Sequence, residues 1–452
     1  MWKDTIEIDM YIAVDDTDSI DGMCTTFLAS ELIKEFNEFD LLSHPRLVRL
    51  NPNVPWKTRG NGAISISFGK GHTREDKIGK IDKHVFTHKG EHSCVSSIFD
   101  RIKNIVEEIA HFDDKKTNPG FVVSDKKPPF SLYEKAVQDV VELEDVLKIL
   151  DKNGFKYKGY GNKRGLIGAT AAMAWRPRDH TYELLSYRKE KNWGTERELY
   201  EKEIKRLDKE LKQSFDSYDH EEDEQTIAPN SPCPVLYGVR GDDPYELKKA
   251  LKMLSGEDPE RWIIFLTNQG TDDHIQEVPI SEVRPWTSVK IKGEVSSIPE
   301  IIEGGHVLFE VKALDDDIKI TAAAYEPTKG FREHVKKLIK GDLIELRGGI
   351  RKEPKTLNIE KMKILKLQDK VVKVSNPKCP ECSKKMSSMG KNAGYRCKRC
   401  RIKADEKEAI RKKVDRGIEE DWYETPVKAR RHLSKPLKRL KRTKEKNRTS
   451  KK

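Results

Sequence analysis

Three carboxylates stand close together near the start of the chain, at Asp15, Asp16 and Asp18. They directly follow a strand-like run at residues 10–14, and the carboxyl end of a strand is where open α/β sheets place their ligands. Neighbouring acids repel one another, and a hard divalent cation relieves that repulsion, with water and phosphate oxygens completing its shell. The pattern therefore predicts a Mg²⁺ site, although a loop rich in Asx turns explains the same residues.

Two hydroxyl residues, Thr25 and Thr26, begin the amphipathic helix that follows this loop. Hydroxyls and backbone N–H groups at a helix N-terminus favour an approaching phosphate. Ordinary helix capping is the alternative. Together with the carboxylates, the two threonines predict a site at which metal and phosphate meet.

Two glycine-bearing loops, residues 51–63 and 159–168, carry cations that suit a triphosphate or an RNA phosphate. Arginine offers planar bidentate donors, and glycine permits close backbone approach. Neither loop has a Walker A or G-x-G-x-x-G pattern, and by composition alone surface loops with solvated cations fit better. With Thr26, the candidate cofactor-binding residues are Lys57, Arg59, Asn61, Lys163 and Arg164.

Two Cys-x-x-Cys pairs, Cys379/Cys382 and Cys397/Cys400, have the spacing of a four-cysteine zinc site. Four thiolates close a tetrahedral shell, so we expect structural zinc without a catalytic role. Iron is the rival metal, because ligand identity does not separate the two. Basic residues and Tyr395 surround the pairs and suit an RNA backbone with one stacked base.

His84, His88 and His92 share a four-residue spacing that would align them on a helix as metal ligands. The segment is polar and Gly90 interrupts it, so we expect solvated histidines.

The elements that position these residues indicate several domains, because 452 residues exceed one hydrophobic core. Alternating strands and helices predict an α/β domain over residues 1–153. Residues 154–283 predict an α+β unit of ferredoxin-like type. Three strands, a helix and two strands over 284–368 match the OB-fold, a barrel that binds single-stranded or looped nucleic acid; a structural spacer barrel is the alternative.

The C-terminal part comprises the ribbon and a charged helix (369–420, the helix from about Ala404 to Glu420) and a basic tail (421–452). The tail has few apolar residues, and we expect it to be disordered until it binds. Its residues 430–452 hold twelve Lys and Arg and one Glu, so they account for the whole net charge of +11. The rest of the chain is neutral, and total charge alone does not predict RNA binding.

Composition also bears on location. No apolar run is long enough to span a membrane, and the N-terminus lacks a signal-peptide pattern. Paired cysteines of metal type indicate a reducing compartment. We expect a soluble, cytoplasmic protein without a membrane partner.

Several motifs together closely resemble the archaeal tRNA(Ile) 2-agmatinylcytidine synthetase family, TiaS. The resemblance covers nearly the whole chain in the same domain order. It is carried by residues 15–19 and 22–26, the loop 51–63, residues 164–169 and 267–272, the barrel segment, the ribbon and residues 429–433.

This resemblance implies a kinase-like N-terminal domain, a ferredoxin-like domain, an OB-fold and a zinc ribbon. It implies an ATP-dependent ligase that phosphorylates the C2 oxygen of the wobble cytidine in isoleucine tRNA with a CAU anticodon. Agmatine then displaces the phosphate, decoding changes from AUG to AUA, and ATP becomes AMP and two phosphates. By position, Asp15, Asp16 and Asp18 would bind Mg²⁺, and Thr25 would be autophosphorylated.

Agmatine also needs carboxylates for its guanidinium, and Asp179, Asp272 and Asp273 are candidates. Partners are therefore the tRNA and agmatine, with no obligatory protein partner. Two other functions stay open. One is a noncatalytic nucleic-acid-binding factor using the barrel and ribbon, which leaves the acidic loop unexplained. The other is a different ATP-dependent RNA-modifying kinase or ligase.

Overall fold

The structure is a computed structural model that describes residues 10–57, 60–91 and 98–442. Up to residue 283 the chain alternates strands and helices as the sequence predicts. The strands are β1 Met10–Asp15, β2 Asp40–Leu41, β3 Arg46–Arg49, β4 Gly62–Lys80, β5 His84–Glu91, β6 Gly120–Ser124, β7 Lys156–Gly159, β8 Thr181–Tyr187, β9 Ser214–Phe215, β10 Tyr218–Asp219, β11 Glu224–Gln225, β12 Val235–Gly241, β13 Arg261–Thr267 and β14 Ile275–Glu277. The helices are α1 Thr25–Glu35, α2 Ile98–Ile109, α3 Phe130–Gln138, α4 Leu143–Lys152, α5 Gly165–Ala174, α6 Glu201–Glu210, α7 Pro244–Leu247 and α8 Ala250–Met253.

One eleven-stranded sheet unites the two N-terminal units, in the order β7-β6-β1-β4-β3-β13-β8-β12-β9, with β2 and β5 attached beside β4. The junction is β13, which pairs parallel with β3 (Leu266 opposite Arg46) and antiparallel with β4 and β8. The sequence indicates two separate units and does not reveal this continuity, because β3 and β13 are far apart in the chain.

Helices cover both faces of the first half of the sheet. Alternate β1 residues divide between two cores: Ile12 packs with α1 and α2, whereas Ala13 packs with α3, α4 and α5. All ten residues of α5 are buried. The helix starts very close to β6, since a Cβ added at Gly165 would lie 2.4 Å from the backbone N of Gly120. Only glycine permits this approach, which sets the position of the α5 N-terminus.

Residues 284–368 form the barrel predicted from the sequence. Its strands are β15 Ser288–Val295, β16 Glu300–Ile301, β17 Val307–Lys312, β18 Lys319–Ala324, β19 Leu343–Arg351 and β20 Thr356–Lys366, with helix α9 Gly330–Val335 after β18. The order β15-β19-β20-β18-β17 closes through a β15–β17 pairing, which is the topology of an OB-fold. Its core holds the alternating residues Val289, Ile291 and Val295.

The expected helix from Ala404 to Glu420 is wrong. The ribbon consists of β21 Val371–Ser375, β22 Ser387–Ser388, β23 Tyr395–Arg396, β24 Lys403–Ala404 and β25 Ile410–Lys413, followed by β26 Trp422–Glu424 on the barrel. Lys, Glu and Arg favour a helix locally, but β25 pairs antiparallel with β21. Pairing with a distant strand overrides the local preference.

The expectation of a disordered tail is also wrong as far as Arg442. Residues 425–442, which we call the strap, lie against the second half of the sheet and end in helical residues 437–442. Leu433 is 1% exposed and Arg439 is 5% exposed. The strap folds because its cations pair with carboxylates: Arg439 Nε lies 2.6 Å from Asp242 Oδ1, and Lys435 Nζ lies 3.0 Å from Asp179 Oδ2. A count of apolar residues does not detect such pairs.

Residues 443–452 of the tail lie outside the described residues. Within the described ranges, no helix is both long and apolar enough to cross a membrane.

Candidate functional site

A cavity of about 370 Å³ lies between the two halves of the long sheet. It brings together most of the candidate site residues, although they come from four separate segments. Those that line it are Asp15, Asp16, Asp18, Thr25, Thr26, Lys57, Asn61 and Arg164. Lys163 does not line it, and Arg59 lies outside the described residues.

The acidic loop is held rigidly at the end of β1. Asp15 is 9% exposed, and its carboxylate faces Gly168 of α5, where an added Cβ would lie 1.8 Å from Oδ2. Burial, together with the charge of Asp16, raises the pKa of Asp15 well above its ordinary value. Asp16 adopts φ 59°, and its Oδ2 accepts the N–H of Asn118 at 3.0 Å. Ionisation of Asp15 is therefore unfavourable in this desolvated place, and a bound cation would favour it and relieve the repulsion.

The three aspartates do not converge on one point as a preformed cage. Among the described residues, only the four ribbon cysteines place three or more metal-binding side chains within 4.8 Å of one another. A Mg²⁺ ion that keeps its waters needs only one or two carboxylates together with substrate phosphates. The loop therefore fits a magnesium ion that arrives with a nucleotide.

Two helix N-termini meet the cavity, those of α1 and α5. Thr25 Oγ1 accepts a hydrogen bond from Thr17 Oγ1 at 3.1 Å, and the Tyr187 hydroxyl donates to the Thr26 carbonyl at 3.0 Å. Both threonines are nearly buried. The partial positive charge and N–H groups of two helix starts favour a phosphate between them.

Of the other candidate residues that line the cavity, Arg164 and Lys57 are cationic and Asn61 is neutral. Arg164 lies 4.5 Å above the Trp56 ring, and the Lys57 ammonium donates to the Pro52 carbonyl. Desolvation, with Arg431 nearby, lowers the pKa of Lys57 to about 8. Asn61 instead shapes its loop, since its amide donates to the Asn51 carbonyl at 2.9 Å.

Further residues that were not predicted from the sequence also line the cavity, among them Arg49, Glu183, Arg240 and His432. Glu183 Oε1 lies 3.2 Å from Arg240 Nε, and its Oε2 accepts the Gln269 amide at 2.5 Å. Arg49 ends a strand just before a glycine loop. Because open α/β sheets bind ligands beyond the carboxyl ends of their strands, this position could have been predicted. His432 belongs to a motif that supported the resemblance, but nothing in its local sequence indicates the cavity.

The carboxylates considered for agmatine are engaged elsewhere and do not line the cavity. Asp272 lies 2.9 Å from Arg347 and 3.1 Å from Lys361. The carboxylate of Asp179 binds the strap, and that of Asp273 accepts the Tyr133 hydroxyl at 2.6 Å. All three help to hold domains together.

The ribbon has the donor set of a closed zinc site. The four sulfur atoms lie within 4.8 Å of one another, and the Cys400 N–H donates to Cys397 Sγ at 3.4 Å. Tyr395 is 0% exposed, and its hydroxyl donates to Glu406 at 3.0 Å. The expectation that Tyr395 stacks on a base is therefore wrong, because its ring is part of the ribbon core. The histidines that we expect to be solvated do not share a helix: His84 and His88 lie on β5, while His92 is outside the described residues.

Comparison with known proteins accounts for this arrangement. Family models described as the TiaS TCKD domain, the TiaS FLD domain and the TiaS C-terminal zinc ribbon domain match residues 11–162, 163–274 and 376–418. An isoleucine-tRNA 2-agmatinylcytidine synthetase TiaS from Methanocaldococcus jannaschii is 41% identical, and the alignment covers 95% of this chain and 98% of that protein. The chain belongs to the TiaS family.

Solved TiaS structures agree with this assignment. A complex of TiaS with its isoleucine tRNA and ATP has a TM-score of 0.82 at 38% identity. A complex of TiaS with that tRNA, AMPCPP and agmatine has a TM-score of 0.80 at 35% identity. Each comparison covers 95% of this chain and 97% of the other. The TiaS fold therefore extends over all domains of this chain, including barrel and ribbon.

Proposed function

We propose that this chain forms 2-agmatinylcytidine at the wobble cytidine of isoleucine tRNA with a CAU anticodon, using ATP and agmatine. One observation carries the proposal: a single cavity joins the acidic loop, two helix N-termini and the cationic residues. The chain that builds it is 41% identical to a protein of that activity. A noncatalytic RNA-binding factor would have no use for carboxylates held against helix N-termini.

The N-terminal domain acts as the kinase-like unit. Asp15, Asp16 and Asp18 hold the Mg²⁺ that accompanies ATP, with phosphates directed toward Thr25 and Thr26. Lys57 and Arg164 provide charge for the phosphate oxygens. Thr25 is the residue that accepts a phosphoryl group. Its hydroxyl lies in the cavity beside Thr17, so a phosphate attached there would remain at the two helix starts.

The chemistry explains why both acid and cations are needed. The C2 oxygen of cytosine is a poor leaving group, and phosphorylation converts it into phosphate. The amine of agmatine then forms the new C–N bond at C2 as the C2–O bond breaks and phosphate leaves. That amine must be unprotonated, which a desolvating cavity favours.

The remaining domains bring the tRNA to this cavity. The ferredoxin-like domain supplies the second wall through β8 and β12, and the strap adds His432 to it. The OB-fold and the zinc ribbon bind RNA outside the cavity, where the ribbon exposes Lys384, Lys385 and Lys398. The wobble base must leave the anticodon stack to reach the cavity, which costs a few kcal/mol.

The test is direct. The protein is incubated with ATP, Mg²⁺, labelled agmatine and an isoleucine tRNA transcript, and label in the tRNA is measured. A transcript with the wobble cytidine replaced by uridine is the control and should remain unlabelled. ATP turnover without label would indicate another RNA kinase or ligase, and no turnover would indicate a binding factor; either result contradicts the proposal.

A further inference from the structure

Arg49 is a partly buried cation of unusual surroundings. The three arginines of the described chain that are under 9% exposed, Arg188, Arg261 and Arg439, each have a carboxylate partner. Arg49 forms no ion pair within the described residues. Its Nη1 donates to the Gly60 carbonyl at 3.3 Å, and its buried Nε has no partner there.

His432 lies in the same cavity as Arg49 and is equally unsatisfied. Its Nδ1 is buried without a hydrogen-bond partner among the described residues. This ring belongs to the strap, which the ion pairs of Lys435 and Arg439 hold against the sheet. The Arg49 charge and then burial, with further contributions from Arg240 and Lys57, hold the pKa of His432 well below its ordinary value.

Two glycines leave space beside these groups. A Cβ at Gly60 would lie 2.5 Å from Arg49 Nη1 and 3.5 Å from His432 Nε2. A Cβ at Gly62 would lie 2.9 Å from the same guanidinium nitrogen. Because glycine has no side chain, this side of the Arg49 guanidinium stays uncovered.

The electrostatic surroundings favour an anion here. The charges that act on Arg49 include Glu183 and Asp18, but Glu183 already neutralises Arg240. Desolvation of a guanidinium without its own counter-ion is costly. A phosphate fits, because its oxygens match the planar donors of arginine and also accept from an imidazole N–H.

We propose that Arg49 and His432 form a phosphate-binding subsite of this cavity. The inference rests on the proposed function only for the source of the phosphate, which is either the ATP triphosphate or the RNA backbone. The two residues come from β3 and from the strap, so the subsite is complete only when the strap is docked. Arg49 supplies the charge, and His432 supplies a neutral donor that does not compete with it for the anion.

Arg49→Gln and His432→Gln test the subsite, with Arg46→Gln as matched control. Arg46 lies on the same strand and donates to the Trp175 carbonyl at 2.8 Å, but it does not line the cavity. Calorimetry with ATP and Mg²⁺, without tRNA or agmatine, measures nucleotide affinity. Filter binding of isoleucine tRNA transcript without nucleotide measures RNA affinity. Thermal melting confirms that each variant is folded.

Arg49→Gln should weaken one of the two affinities by about 10- to 100-fold, as for loss of a charged hydrogen bond. His432→Gln should weaken the same affinity by less, and Arg46→Gln should change neither by more than about twofold. A loss for ATP identifies the triphosphate as the ligand, and a loss for tRNA identifies the RNA backbone. If Arg49→Gln destabilises the protein, Arg49→Lys is measured instead. Lysine keeps the positive charge but lacks the paired N–H donors of the guanidinium, so the loss of that affinity should be smaller.

Affinities of Arg49→Gln equal to those of Arg46→Gln in both assays would overturn the subsite. Neither assay contains agmatine or requires turnover. A wild-type protein that binds both ligands but transfers no agmatine would therefore contradict the proposed function and leave the subsite to be decided by these affinities.

Discussion

Substitution of Gly168 by alanine tests whether the position of Asp15 governs catalysis. The new Cβ would lie 1.8 Å from Asp15 Oδ2 and 3.0 Å from Leu50 Cδ1. An ordinary contact between these atoms needs about 3.3 Å or more, so the carboxylate must move by more than about 1 Å. A displacement of that size at a reacting group costs about 100-fold in rate. We therefore expect agmatine transfer to fall about 100-fold with tRNA binding unchanged.

A double-mutant cycle with Asp15→Ala isolates this clash. Alanine is favoured over glycine inside a helix by about 1 kcal/mol. With Asp15 present, the clash should offset that gain and lower the free energy of unfolding of Gly168→Ala. The Asp15→Ala variant lacks the carboxylate that the new Cβ would contact, so in this variant Gly168→Ala should stabilise the protein. Denaturant unfolding measures both effects. Full transfer activity of Gly168→Ala, or equal stability changes in both backgrounds, would refute the reasoning.

Other expectations follow from the same structure. Because the pKa of Asp15 is raised in the folded state, its ionisation lowers the stability of the fold as pH rises. Asp15→Asn should therefore stabilise the ligand-free protein near neutral pH. The gain, measured as a shift of the unfolding midpoint, should vanish toward about pH 4. Asp16→Ala should abolish ATP turnover in a phosphate-release assay with tRNA affinity nearly intact; full turnover would exclude its metal role. Chelation of zinc should weaken tRNA binding while calorimetry still detects ATP, because the cavity contains no ribbon residue. Truncation after Arg442 removes five basic residues and should give a shallower salt dependence of tRNA affinity by filter binding; equal slopes would show that these residues do not contact RNA.

The parts of the fold that could be predicted from the sequence are those determined by residues close together in the chain. Alternation at Val289, Ile291 and Val295 predicts the barrel, and the two cysteine pairs predict the ribbon. The acidic loop is local as well, and the structure places it at the end of β1. These features depend on neighbours in the chain, which periodicity and spacing describe well.

The parts that could not be predicted depend on contacts between distant segments. Arg430 pairs with Asp216, and Arg439 pairs with Asp179 and Asp242. From composition alone such cations indicate a solvated tail, because nothing near them in sequence contains the partner carboxylates. The helix expected from Ala404 fails for the same reason, since the partner strand β21 precedes it by some thirty residues. His432 enters the candidate site only through these pairings.

The continuous sheet joins the two walls of the cavity. Asn268, at the end of β13, is 0% exposed, and its side-chain amide accepts the Arg49 N–H at 2.7 Å and donates to the Arg49 carbonyl at 2.9 Å. The same amide donates to the Tyr133 hydroxyl at 2.9 Å. One side chain thus joins β13, the end of β3 and helix α3, so that a shift of one wall also moves Arg49. Because backbone pairing and this buried amide act together, the two walls belong to one structural unit. The wobble base must leave its stack to reach this cavity, whose two walls are joined by backbone pairing and by the Asn268 amide.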